Sequence, residues 1–394
     1  MSSAPDQSLA PTLALDASSR SFVAFCRWAS ALMVMLSHLR GMLFIGWGEL
    51  PAQSKNIFVA ALYAFTAFFH EAVVIFFVLS GFLIAGPNLD RAKIDLFRPK
   101  TYAVDRFTRI YVTAVPALLL TLAADMIGRH LFAWTGFYDG TNRLIHERAA
   151  AGFHYGHEFV DFFANLAMLQ PVHSTVLGSN IPLWSLSYEV WFYVWFATLA
   201  WALQRRARSD FLLVGLATVG LLLFHWTALY YLVIWCLGGL AYQWSRWPNS
   251  IALAFAAFFA SMALSMSGRF TLPVHDIPIK SSDVLVGLSF AWLLALMKRR
   301  SYRLLNKTEK FNQVLSDFSY SLYLIHFPVM LCLIGVFAGI AGLEGSLKQG
   351  LLPNGAGFSV YLPTAASAFL AAFAFSRLFE ANTGVVRRWL KRRV

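Results

Sequence analysis

The chain has 394 residues, 58% of them hydrophobic and only 13% charged, with a mean hydropathy of +0.58. Soluble domains carry about 25% charged residues, so a water-soluble globular protein is excluded. The net charge of +12 does not point to nucleic acid, because Lys and Arg cluster beside apolar runs instead of forming one basic face.

Met1 to Arg20 is polar, rich in Ser, Pro and Ala, and lacks the apolar core of a signal peptide. Residues 1–20 are expected to form a flexible tail. Ten apolar runs follow, at 22–45, 58–85, 107–127, 183–204, 211–225, 227–244, 250–268, 282–297, 316–340 and 358–379. They predict an all-α fold, a polytopic transmembrane helical bundle of about ten spans, because only structures that satisfy their own backbone groups cross lipid. The fifth run is short, and the second is long enough to be tilted or broken. One membrane domain is expected over 21–380, followed by a basic tail over 381–394, with no internal repeat and no separate soluble domain. With both termini cytoplasmic, 24 of the 32 Lys and Arg fall on the inner side and 8 outside, and this asymmetry sets the expected orientation.

The first run carries Arg27 and His38, eleven positions apart. Eleven steps make about three helical turns, so both side chains share a face, separated by roughly 16 Å along the axis. An ionisable residue inside a span is costly and counts as a functional candidate. The plain structural alternative is an Arg snorkelling to the interface and a His bonded to a neighbouring helix. The second run ends in Phe76–Ile84, where Gly81 permits close helix approach and Ser80 offers a hydrogen bond across an interface. At the start of the third run, Arg106 and Arg109 lie three apart on one face. A paired guanidinium site suits an anion such as phosphate; a positive-inside anchor is the simpler reading of a lone pair.

The stretch from Gly128 to Pro182 is the longest outside the runs and is expected on the outer side. It holds Trp134, Tyr138, His146, His154, Tyr155, His157, Glu158 and Asp161, with an amphipathic piece around Phe159–Leu169. Aromatic side chains there suit a sugar or a lipid-linked acceptor. The His154-x-x-His157-Glu158 group has no helix-borne partner set, so no metal is expected. Trp184-Ser185-Leu186-Ser187-Tyr188-Glu189 opens the fourth run, and Glu189 there must be paired, protonated or facing a hydrated cavity. The ninth run holds Ser319–Pro328 with His326 beside a proline kink, where a packing role is the alternative. Cys26, Cys236 and Cys332 all lie in apolar runs, odd in number and without metal spacing, as fillers of helix interfaces.

Arg27 with His38, the Phe76–Ile84 run, Arg106 with Arg109, Trp184–Glu189 and Ser319–Pro328 together resemble the membrane-bound acyltransferase-3 proteins, and the resemblance extends from Phe22 to about Glu380. This chain has Ala24, Asp105 and Val112 where that family often has Asp, Arg and Pro. The resemblance implies an acyl donor, typically acetyl-CoA, drawn from the cytosol. It also implies a hydroxyl acceptor on a saccharide or other envelope or secondary-metabolite molecule, and a multi-pass protein of the bacterial inner membrane. Arg27, Arg106 and Arg109 would then meet the nucleotide phosphates, and His38 would be the catalytic base or the acyl carrier. Glu189 would orient the imidazole or bind sugar hydroxyls, with Ser80, Trp184, Ser187 and His326 in support. A proton-coupled transporter of a small solute would also place Arg, His and Glu in spans, but with paired halves or matched broken helices, which this sequence lacks. A catalytically silent scaffold or sensor would tolerate loss of His38. Oligomeric state, acyl length and acceptor identity are not encoded legibly.

Overall fold

The computed structural model describes residues 15–145, 158–170, 174–224, 226–244, 246–266, 271–272, 279–280 and 282–393. Helix α1, Ala17–Leu43, starts before the apolar run does, because the Asp16 carboxylate accepts from Ser19 N–H at 2.8 Å and caps its first turn. Ala17 to Arg20 are therefore helix and not tail, while residues 1–14 lie outside the described residues. The second run is broken. Helix α2, Ile57–Phe65, is capped by Asn56 and bends at residues 66–68 into α3, Phe69–Lys93. Helix α4, Pro99–Leu131, begins on a proline, whose missing N–H costs nothing at that position. The chain continues through α5 (Glu158–Leu166), α6 (Trp184–Arg205), α7 (Arg208–Phe224), α8 (Trp226–Gln243), α9 (Ile251–Met266) and α10 (Ser282–Met297). It ends with α11 (Arg303–Ser316), α12 (Ser319–Ile340), α13 (Glu344–Leu347), α14 (Gly355–Leu378) and α15 (Thr383–Lys391). The β-structure among the described residues includes a two-residue antiparallel pairing, Thr271–Leu272 with Ile279–Lys280.

Nine of the ten apolar runs each fall on one helix, and the second is divided between α2 and α3. Five helical stretches are long and apolar enough to cross a membrane: α1, the pair α2–α3, α4, α12 and the stretch from α14 to α15. Helices α9 and α10 are shorter apolar helices. Exposed Leu212, Leu216, Val219 and Leu223 on α7 form the kind of outward apolar surface that lipid covers.

Without a hydrophobic incentive between helices in lipid, close packing needs small residues. The α3–α8 seam shows this. A Cβ on Gly81 would lie 1.8 Å from the Trp235 carbonyl oxygen, and one on Gly238 would lie 1.9 Å from that of Val78. The two backbones touch there, as the Gly81 position suggested.

Hydrogen bonds fix which helix ends lie together. Ser19 Oγ donates to Met297 O (3.0 Å), joining the start of α1 to the end of α10. Lys298 Nζ donates to Tyr242 O (2.9 Å), and Gln243 Nε2 to Asp90 Oδ1 (2.7 Å), adding the ends of α8 and α3. Phe97 N donates to Gln204 Oε1 (2.9 Å), joining the start of α4 to the end of α6. The basic residues Arg91, Lys93, Arg98, Lys100, Arg205, Arg206 and Lys298 sit on these same ends.

Besides the amphipathic α5, two further amphipathic helices among the described residues lie outside the ten runs. Helix α11 carries much of the basic stretch expected as a loop and lies along α1. Trp28 Nε1 donates to Asn312 Oδ1 (3.0 Å), and Asn312 Nδ2 to Ser21 Oγ (2.9 Å). Helix α15 occupies the expected C-terminal tail and packs on α4 through Asp105. That carboxylate accepts from Lys391 Nζ at 2.8 Å and pairs with Arg387 Nε at 3.4 Å. The expected boundary at residue 380 thus does not separate a free tail from the bundle.

Candidate active site

Helices α1, α3, α4, α6, α12 and α15 enclose a cavity of about 340 Å³. Three predicted arginines, Arg27 from α1 with Arg106 and Arg109 from α4, line it together with Ser80 and Glu189. The one-face spacing of Arg106 and Arg109 is what brings both to the same wall.

The guanidinium groups differ in their partners. Arg109 Nη1 donates to Glu380 Oε1 at 2.7 Å and sits 4.9 Å from the Tyr320 ring centroid. The second oxygen of Glu380 accepts from the N–H (3.1 Å) and hydroxyl (2.7 Å) of Ser321, so a buried acid at the end of α14 fixes Arg109 to the start of α12. Arg106 lies between the rings of Tyr102 (5.8 Å) and Tyr193 (5.7 Å), and its buried Nε meets no hydrogen-bond acceptor. Among the described residues neither Arg106 nor Arg27 forms an ion pair or a hydrogen bond. Glu189 is the carboxylate that lines the cavity with them, and it is not ion-paired to either.

Glu189 faces the cavity, as an intramembrane carboxylate requires, and accepts a short hydrogen bond from the Tyr193 hydroxyl. That spends the only proton of Tyr193. Ser80 Oγ, which accepts from Trp235 Nε1 at 3.0 Å, therefore donates to the Tyr193 oxygen at 3.2 Å. The chain Trp235–Ser80–Tyr193–Glu189 ties α8, α3 and α6 into one polar wall.

His38 lies outside the lining of this cavity. Its Nδ1 is 2.9 Å from His326 Nε2, and the two rings are parallel within 4°. His326 Nδ1 lies 3.0 Å from Leu322 O and 2.8 Å from Tyr323 O. Carbonyl oxygens only accept, so the proton of a neutral His326 sits on Nδ1 and its Nε2 is the acceptor. His38 must then donate from Nδ1, and its own unprotonated nitrogen is Nε2. The pair connects to the cavity through Tyr323, which lines it and neighbours His326 at 6.0 Å between ring centroids. The Tyr323 hydroxyl is held by Ser185 Oγ (2.6 Å) and donates to Pro182 O (2.9 Å). His326 is thus the partner of His38 and not a distant packing residue, while Glu189 is engaged by Tyr193.

Trp184 and Ser187 are turned elsewhere. The Trp184 ring packs on Phe77, Tyr188 and Tyr231, and Ser187 Oγ donates to Trp184 O at 3.0 Å within its own helix. Tyr193, Tyr320, Tyr323, Glu380 and Arg387 belong to the site and were not foreseen. Tyr193 carried a usable signal, one turn after Glu189 on the same face. The histidines His146, His154 and His157, with Tyr155, lie outside the described residues. Among the described residues no group of three or more His, Cys, Asp or Glu is arranged to hold a metal.

A bundle of membrane-length helices around an arginine-lined cavity, with an imidazole pair beside it, defines an integral membrane protein. The chain belongs to the acyltransferase-3 family: the sequence profile of that family, described as an acyltransferase domain, matches residues 20–380. Comparison with curated proteins and with solved structures gives no match. It is therefore a membrane acyltransferase.

Proposed function

We propose that this protein is an O-acyltransferase that moves an acyl group, acetyl in the simplest case, from cytosolic acyl-CoA to a hydroxyl of a saccharide or other envelope or secondary-metabolite acceptor. The observation that carries this reading is the cavity lined by Arg27 and Arg106, which form no ion pair among the described residues, with the His38–His326 pair as its neighbour. Arg binds phosphate bidentately and is the residue suited to such a donor. In this reading the arginine end of the bundle faces the cytosol, the chain crosses the membrane ten times, and the acceptor approaches from the opposite side.

His38 acts as the base. The acceptor oxygen attacks the thioester carbonyl carbon as its proton passes to His38 Nε2; the C–S bond then breaks, and the proton is returned to the departing thiolate. His326 holds the imidazole in the tautomer whose Nε2 is free of a proton, and its Nε2 continues to accept from His38 Nδ1–H when the imidazolium forms. Glu189, held by Tyr193, offers an acceptor to substrate hydroxyls.

The test is His38→Gln in the purified full chain. It is expected to fold, to keep its thermal stabilisation by CoA, and to lose acyl transfer by at least about a hundredfold, within the range of a general base. A variant that binds CoA and still transfers at near the original rate removes His38 from the chemistry. Sidedness is tested separately: a cysteine at the exposed Ser346 should react with an impermeant reagent applied from outside, and one at the exposed Arg206 should not. Equal labelling would sink the orientation.

A further inference from the structure

A second cavity, of about 950 Å³, lies beside the first along α4. Its walls come from the first turns of α4 (Arg98, Lys100, Thr101), the last turns of α6 (Thr198, Trp201) and, from α15, Lys391. Nothing in the proposed mechanism uses it.

The two cavities are joined by one carboxylate. Asp105 stands between Val104, which lines the second cavity, and Arg106, which lines the first. Its Oδ1 holds both Lys391, which lines the second, and Arg387, which lines the first. Arg387 and Lys391 are four residues apart on α15, so a single helix face serves both spaces. Arg387 Nε also lies 3.3 Å from Thr108 Oγ1, which fixes the helix one turn further along α4.

Size divides the labour between them. The first cavity, at about 340 Å³, lies near the lower end of the roughly 300–1,000 Å³ typical of small-molecule sites. It suits a thioester, its slender arm and the phosphate nearest the arm, within reach of Arg27 and Arg106, but not the nucleoside and its further phosphates as well. The second has the volume and the chemistry for that remainder. Arg98, Lys100 and Lys391 supply cations, the α4 N-terminus has no side-chain cap and no acid in its first turn, and the Trp201 indole offers a face for a base. Arg205 lies 5.3 Å from the Trp201 ring centroid, adding a further cation at that wall.

Resting on the acyl-CoA reading, we propose that this second cavity is the subsite for the nucleoside phosphate end of the donor, with Trp201 and Lys391 as binding residues and Asp105 as the residue that positions α15 over both cavities.

The experiment compares two donors on the full chain in detergent: acetyl-CoA, and the acetyl thioester of phosphopantetheine, which has the same arm without the nucleoside. Lys391→Gln is expected to raise KM for acetyl-CoA about tenfold, as loss of one charge-assisted phosphate contact would, and to leave KM for the truncated donor within about twofold. Trp201→Ala should act in the same direction. Adenosine 3′,5′-bisphosphate should compete with acetyl-CoA in the original protein and about tenfold less well in Lys391→Gln.

Equal losses on both donors would reassign Lys391 to a structural role and overturn the subsite. So would unchanged KM values for both. An effect that tracks the anionic phospholipid content of nanodiscs, with no difference between donors, would give the cavity to a lipid instead. If neither thioester supports transfer and CoA gives no stabilisation, the acyl-CoA reading itself falls, which is a different result from a failure confined to Lys391 and Trp201.

Discussion

Two buried charged regions of this protein are built on opposite plans. At the arginine cavity, Arg27 and Arg106 form no ion pair among the described residues, whereas Arg109 is paired with Glu380 and Arg387 with Asp105. Around the start of α3, each charge has its counterpart. His70 Nε2 lies 2.8 Å from Asp283 Oδ2, and Lys280 Nζ lies 2.7 Å from Glu71 Oε1, which also accepts a short hydrogen bond from Ser265. Both sets sit in apolar helices, so desolvation is costly in each. The second set is charge-paired, with Glu71 Oε2 and Asp283 Oδ1 left without a hydrogen-bond donor among the described residues, and it pins α3, α9 and α10 together. The first is not ion-paired at Arg27 and Arg106, and this is the feature on which the proposed anionic donor rests.

The contrast can be broken by substitution. The largest effect is expected from Arg106→Met. On the proposed acyl-CoA reading it removes a charge that the donor neutralises, so KM for acyl-CoA should rise about a hundredfold while the thermal midpoint without ligand holds or increases. A clear fall in that midpoint would show that Arg106 is already paired in the empty protein.

Glu71→Gln should do the reverse. It leaves Lys280 without the acid it pairs with, and stability should drop by about 3 kcal/mol, the lower range for breaking a buried pair. The surviving folded protein should keep its KM for both substrates. A selective rise in KM would make the charge-paired cluster part of the site.

Arg109→Lys lies between the two and sharpens the boundary. Lysine retains the charge facing Glu380 but loses the planar fork. A KM increase of a few fold for the donor is expected, with a small loss of stability and an unchanged acceptor KM. Loss of acceptor affinity instead would move Arg109 to the other substrate.

The smallest effect is expected from Ser187→Ala. Its hydroxyl bonds only within α6, so kcat/KM should stay within about twofold and the midpoint within the usual scatter of a single helix hydrogen bond. A tenfold loss would place Ser187 in the site from which its geometry excludes it.

The sequence by itself determined the helices and the expensive residues. Every apolar run is helical, the second as two helices, because a chain that enters lipid must bond its own backbone. Arg27, Arg106, Arg109, Ser80 and Glu189 were legible for the same reason: polar groups set in such runs need a cavity, and all five line one. Partnership was decided only by the tertiary structure. His38 and His326 are 288 residues apart, and no local pattern couples them. Glu380 and Arg387 looked like the edge of a basic tail until α14 and α15 folded against α4. Trp184 and Ser187 shared a motif with Glu189 but lie on other faces of α6, where they serve packing. The physical reason is the range of the interactions. The cost of burying a group is paid where it sits and shows in its neighbours along the chain, whereas the group that relieves that cost comes from whichever helix packs there.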